Sequence, residues 1–160
     1  MSESLFYRCE VCGNIVGLIK SGGGTLECCG QTMTKLVANS TDAAKEKHVP
    51  VVIQDGRKLK VSVGSIAHPM TKDHFIEWIA FVTNGKVEIT YLKPDKEPKA
   101  EFNYYSNEEN VAFNGMDDDD DDDVPNCEGQ PCNFVYTDNP INKGTVYAYC
   151  NLHGLWKTDL

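Results

Sequence analysis

The sequence predicts an all-β protein in which a small metal-dependent unit precedes an antiparallel β-sandwich. Two observations place the sandwich. Apolar and polar residues alternate with a period of two over several stretches from about residue 46 onward, and no convincing amphipathic helix interrupts them. A third observation places the small unit: the first 36 residues are rich in cysteine and glycine and carry little apolar periodicity. A segment that short cannot enclose a core of its own, so its folding is expected to depend on a bound metal. The expected domains are 1–37 for the metal unit and 38–160 for the sandwich, with an acidic insert at about 103–143.

In the first unit, "CEVCG" supplies Cys9 and Cys12, and "CCG" supplies Cys28 and Cys29. Four cysteines in two close pairs fit a tetrahedral thiolate site, because deprotonated sulfur is a soft ligand for iron or zinc. Adjacent cysteines such as Cys28 and Cys29 bridge each other only with strain, which argues against disulfides. The ligand type alone leaves iron and zinc both open.

In the second unit, Leu59, Val61 and Val63 alternate with Lys58, Lys60 and Ser62, and Val87, Ile89 and Tyr91 alternate with Glu88 and Thr90. These read as half-buried strands. "HFIEWIAFV" (His74 to Val82) and "GTVYAYC" (Gly144 to Cys150) read as further strands, the former followed by the turn signal "TNGK". Pro69 and Trp78 are read as structural. The insert contains "NGMDDDDDDDVPNCEGQPCN", whose seven consecutive aspartates repel one another and favour a solvated loop. That run lacks the spaced ligands and the glycine of a dedicated calcium loop, and Cys127 and Cys132 receive no role.

The net charge is −9, but residues 101–140 hold 12 of the 24 acidic residues and none of the 15 basic ones, so the remainder carries 15 − 12 = +3. An anionic substrate is therefore not excluded. "MSESLFYRCE" lacks the basic start and apolar run of a secretory signal, and no stretch is long and apolar enough to span a membrane. The expectation is a cytoplasmic protein with no membrane and no nucleic-acid partner. In that compartment cysteines are more often metal ligands or redox groups than disulfides.

Four histidines, His48, His68, His74 and His153, lie in the strand-rich part, and His153 stands three residues after Cys150 in "YCNLHGLWK". Such a pair is compatible with a metal site, with a thiol nucleophile and its base, or with two unrelated residues. Singly, each histidine would be an ordinary surface or core residue. As a group, four neutral nitrogens and one thiolate suit a redox-active iron.

"KEKHVP", "GSIAHPM" with the following His74 and "IEWI", and "YCNLHGLWK" resemble the motifs of the superoxide reductases. The "CxxCG…CCG" segment resembles the desulforedoxin-like domain that precedes them in desulfoferrodoxins. The resemblance covers about residues 1–102 and 144–160. It implies a rubredoxin/desulforedoxin-like metal domain followed by a neelaredoxin-like iron domain with an immunoglobulin-like antiparallel β-sandwich. Two irons per chain are implied, one held by Cys9, Cys12, Cys28 and Cys29. The other would have His48, His68, His74 and His153 as equatorial ligands and Cys150 as axial thiolate. Partial calcium or zinc occupancy in preparations is a further expectation.

The implied activity is one-electron reduction of superoxide to hydrogen peroxide at the second iron. Lys47 would attract superoxide and stabilise the bound peroxide, and Glu46 would occupy the vacant position of ferric iron. The implied partners are a rubredoxin-like electron donor and a second copy in a homodimer. The insert departs from the family, whose members cross to the last strand in few residues. Two rival readings use the same residues: a structural or electron-transfer protein with zinc at the histidine site, and a superoxide dismutase.

Overall fold

The structure, a computed structural model, describes residues 5–83, 86–104, 111–113, 134–136 and 144–160. In the N-terminal unit, strand β1 (Phe6–Arg8) is flanked on both sides by antiparallel partners, β2 (Ile15–Gly17) and, later in the chain, a strand at Thr34–Lys35. Between them β3 (Glu27–Cys28) and β4 (Gln31–Thr32) form a hairpin. Its two turn residues, Cys29 and Gly30, have φ of 54° and 72°. A two-residue turn with both φ positive suits the twist of a hairpin, which is why a glycine follows the cysteine pair. The Thr34–Lys35 strand is β5.

A single helical turn, α1 (Lys45–His48), leads into the sandwich. The following strands are β6 (Pro50–Asp55), β7 (Lys58–Val63), β8 (Ile76–Thr83), β9 (Lys86–Tyr91) and β10 (Lys99–Asn103). Then come β11 (Val111–Phe113), β12 (Phe134–Tyr136), β13 (Gly144–Cys150) and β14 (Gly154–Asp159). One sheet has the order β10-β7-β6 and the other β14-β13-β8-β9, and every pairing in both is antiparallel.

The alternation read from the sequence sets the inner faces. Leu59, Val61 and Val63 of β7, Ala100 and Phe102 of β10, Ile79 and Phe81 of β8, and Val146, Ala148 and Cys150 of β13 enclose one core. Strand β8 breaks its own parity once. Tyr149 pairs with Trp78 but Cys150 pairs with Ile76, so Glu77 is an extra residue and Ile76 rejoins Ile79 and Phe81 on the inner face. This bulge bends the end of β8 next to His74, as bulges do beside sites.

The N-terminal unit does not stand apart: it has no core of its own, as its length implies, and packs its apolar residues on the larger sheet. The outward residues Trp78, Ala80, Tyr147 and Tyr149, with Leu155, form a second core closed by Phe6 and flanked by Leu5, Ile15 and Leu36. Phe6 is 3 % exposed, and full burial of such a side chain contributes about 1.5–3 kcal/mol. The small unit thus borrows a core from the back of the larger sheet. Trp78 is structural, as read from sequence.

The same face explains a second difference. Val87, Ile89 and Tyr91 form a strand as expected, but β9 is an edge strand and these three side chains are 53 %, 42 % and 78 % exposed rather than half-buried. Period two identifies a strand's two faces without saying how far a covering element reaches. Within the insert β11 and β12 pair with each other, so the segment expected to be a plain loop contains a short ladder. Asn84 and Gly85 of the expected turn, Asp117 to Asp123, Cys127 and Cys132 lie outside the described residues. No helix among the described residues is long and apolar enough to cross a membrane.

Candidate metal centre

The connections at one end of the sandwich bring five donors together. Cys150 closes β13 and keeps the inward parity of Val146 and Ala148, so its thiol is fully buried. The turn from β13 to β14 carries His153. The segment between β7 and β8 carries His68 and His74. His48 ends α1, where its ring stacks on the buried Trp156 at 4.8 Å and 25°. The sequence placed His48 in the strand-rich part and His74 at the start of a strand. The structure puts the first on a helical turn and the second just before β8.

The ring nitrogens are sorted by their backbone partners. His48 Nδ1 donates to the Ala44 carbonyl at 2.7 Å, and His68 Nδ1 donates to the Pro69 carbonyl at 2.6 Å. Each bond fixes the tautomer and leaves Nε2 as a free lone pair. His48 Nε2 lies 2.9 Å from His153 Nδ1, which in turn lies 3.6 Å from Cys150 Sγ. His68 Nε2 and His74 Nε2 are buried without any partner. All five donor atoms lie within 4.8 Å of one another.

Convergent, unpaired acceptors are costly unless a cation satisfies them. Metal–nitrogen distances of about 2.1 Å put neighbouring donors of an octahedral ion about 3.0 Å apart and opposite ones about 4.2 Å apart. The His48–His153 separation matches a neighbouring pair. Four imidazoles and a thiolate therefore fit iron.

Electrostatics agree with that use. Burial holds His48, His68 and His74 below the usual histidine range, His68 at about 4, so the imidazoles are neutral and ready to ligate at pH 7. Burial raises the Cys150 thiol, so its thiolate forms against a compensating cation. Glu46 and Lys47 lie on α1 with exposed side chains. Behind burial, the charges of α1 act on these rings in opposite senses: Glu46 favours protonation of His48, and Lys47 opposes that of His48 and His74.

A second group of donors, Cys9, Cys12, Cys28 and Cys29, converges in the N-terminal unit. Cys12 Sγ and Cys28 Sγ are 3.7 Å apart, and Cys28 Sγ and Cys29 Sγ 3.9 Å. A tetrahedral ion with metal–sulfur bonds of about 2.3 Å has edges of about 3.8 Å. The fit holds for iron or zinc. Backbone N–H groups of Cys12 and Val11 lower the Cys9 thiol to about 7, whereas hydrogen bonding with Cys12 and the other thiols pushes Cys29 up to about 12. Binding an ion there must displace the remaining protons.

Every ligand expected from sequence falls in one of these two clusters. Sequence reasoning missed the Ala44 and Pro69 carbonyls, which no side-chain pattern announces, and Trp156, which stands inside the quoted "YCNLHGLWK".

Residues 2–36 match the family described as "Desulfoferrodoxin, N-terminal domain", and residues 40–116 match the family described as "Desulfoferrodoxin". A desulfoferrodoxin of Desulfarculus baarsii is 48% identical, with 96% of this chain and 94% of the relative covered. A desulfoferrodoxin homolog of Archaeoglobus fulgidus is 40% identical, over 95% and 94%. A superoxide reductase of Pyrococcus abyssi is 34% identical over 80% of this chain and 97% of its own. The crystal structure of the superoxide reductase from Treponema pallidum superposes with a TM-score of 0.62 at 25% identity, covering 99% of both chains.

Proposed function

The chain belongs to the desulfoferrodoxin family, and from that membership we propose that its cluster of His48, His68, His74, His153 and Cys150 is where superoxide is reduced. The activity is that of a superoxide reductase: one superoxide, one electron and two protons give one hydrogen peroxide. Iron bound by these donors supplies the one-electron chemistry, and a thiolate ligand makes it electron-rich. The observation that carries the reading is the convergence of five donors, two of them buried imidazole nitrogens without a partner, on one point.

The chain's own residues divide the remaining work. Cys150, His48 and His68 are buried and hold the inner side, whereas His74 and His153 are half-buried and mark the side from which a small anion and protons arrive. Lys47, exposed and acting on His48 and His74, attracts superoxide and steadies the charge that develops on it. Glu46, its neighbour on α1, closes the approach when no substrate is there. The Cys9, Cys12, Cys28 and Cys29 cluster holds the second iron, in a unit bounded at 1–37 and followed by the sandwich at 38–160. Each turnover consumes an electron from outside the chain, and the proposed donor is a rubredoxin-like protein. By the same resemblance the protein works as a cytoplasmic homodimer.

The test is rapid mixing of the anaerobic, iron-loaded, reduced protein with superoxide. One peroxide per superoxide without dioxygen supports the reading, whereas dioxygen release would make the protein a dismutase. Cys150→Ser should abolish the reaction and leave the four-cysteine iron in place. Wild-type turnover in that variant would sink the ligand assignment.

A further inference from the structure

His74 differs from the other three histidines in having no hydrogen bond on its ring among the described residues. His48 and His68 are aimed by carbonyls on Nδ1, and His48 is also stacked on Trp156. Its ring meets the rings of fellow ligands, His68 at 4.6 Å and His153 at 4.9 Å, so from outside the cluster it is aimed through its backbone. On one side Thr71 ties that backbone into a tight turn: the His74 N–H donates to Thr71 Oγ1 at 3.1 Å, and the Thr71 N–H donates to the His74 carbonyl at 3.0 Å. Nothing in this turn relates it to the rest of the cluster.

The relation is supplied by Asn151, the residue after Cys150. Its Oδ1 accepts from the Phe75 N–H at 3.0 Å, and its Nδ2 donates to the Asp73 carbonyl at 2.9 Å. Its own N–H donates to the Phe75 carbonyl at 3.2 Å. The bonds fall on the two residues flanking His74. One planar amide presenting an acceptor and a donor is needed to meet an N–H and a C=O together, and asparagine is the shortest side chain that does so.

We propose that Asn151 is a positioning residue: by clamping Asp73 and Phe75 to the turn that carries Cys150 and His153, it sets the distance and direction of His74 relative to the other donors before any ion arrives. This rests on the ligand assignment above. Partners that orient metal ligands in this way typically change metal affinity by about 10–100-fold when removed. His74 closes the half-buried side of the cluster, so it is the donor that slackening would displace first.

Cobalt(II) is the probe, because a thiolate–cobalt band reports geometry without any turnover. For each protein, the spectrum minus that of its Cys150→Ser counterpart isolates the five-donor site, and the four-cysteine bands serve as a folding control. In Asn151→Ala the five-donor site should bind cobalt about 10–100-fold more weakly, with a shifted or weakened thiolate band, while the four-cysteine bands stay unchanged. Should Asn151→Ala fail to fold, Asn151→Leu, similar in shape and uncharged, is expected to give the same result. Wild-type affinity and band in the folded variant overturn the proposal, even if its melting temperature falls. Absence of any Cys150-dependent band in the wild-type protein would instead overturn the ligand assignment.

Discussion

The ring of Phe6 lies 4.9 Å from that of Trp78 and 5.4 Å from that of Tyr147, so the first strand of the metal-binding unit is packed on the back of the sheet that carries Cys150. The two units therefore share stability. Phe6→Ala leaves a cavity between them and should lower unfolding stability by about 3–5 kcal/mol. Urea unfolding of the iron-loaded protein measures it. A loss below about 1 kcal/mol would mean that the N-terminal unit is held by its metal alone.

Lys47 offers a test that separates attraction from scaffolding. Its ammonium is exposed, and its field reaches His48 and His74. Lys47→Ala should retain both irons but react with superoxide more slowly, by roughly tenfold at low salt, because a local cation raises the concentration of an anion at the site. Added salt should slow the wild type more steeply than the variant, since screening removes only an attraction that exists. Equal salt slopes in stopped-flow traces would leave Lys47 without that role.

Much of this arrangement was legible in the sequence, and the exceptions have physical causes. Leu59, Val61 and Val63 point inward as their alternation predicts, and Cys150 is buried because it continues the parity of Val146 and Ala148. The cysteine pairs were readable from spacing, because ligand chemistry restricts which residues stand close in sequence. What escaped was set by contacts distant in sequence. Four residues, Lys45–His48, are too few for a helical period to register, so α1 was invisible. The exposure of Val87, Ile89 and Tyr91 depends on where a separate unit stops covering the sheet.

Gly64 shows how α1 is held. Its φ is +85°, and a Cβ there would run into the Ile66 carbonyl and stand 2.8 Å and 2.9 Å from the carbonyls of Lys47 and Glu46. Those carbonyls lie against the end of β7, where the Ile66 N–H and the Ser65 hydroxyl both donate to Glu46 O at 3.0 and 3.2 Å. Gly64→Ala should thus cost about 1–3 kcal/mol from backbone strain alone. It should also displace the turn carrying Glu46, Lys47 and His48, weakening iron retention at the five-donor site while sparing the four-cysteine site. Site-resolved iron analysis after chelator challenge checks this, and equal retention at both sites would contradict it.

The last prediction follows from the buried histidines. Burial brings His68 from the usual 6.5 to about 4, and moves His48 and His74 in the same direction. In the metal-free protein the unfolded chain therefore takes up protons first as pH falls. The contribution of His68 is fully present above about 6.5, is lost through the window down to about 4, and changes no further below it. For His68 alone the loss is on the order of 3 kcal/mol, at about 1.4 kcal/mol per pH unit. Carboxylates add their own effect only toward the acid end, so the stretch from pH 6.5 to 5 reports the histidines. Urea midpoints of metal-free protein should fall across that stretch, and His68→Gln should flatten the slope. A wild-type midpoint that stays constant from pH 6.5 to 5 would mean that these imidazoles take up protons at the same pH in the folded as in the unfolded chain, and that burial does not hold them neutral.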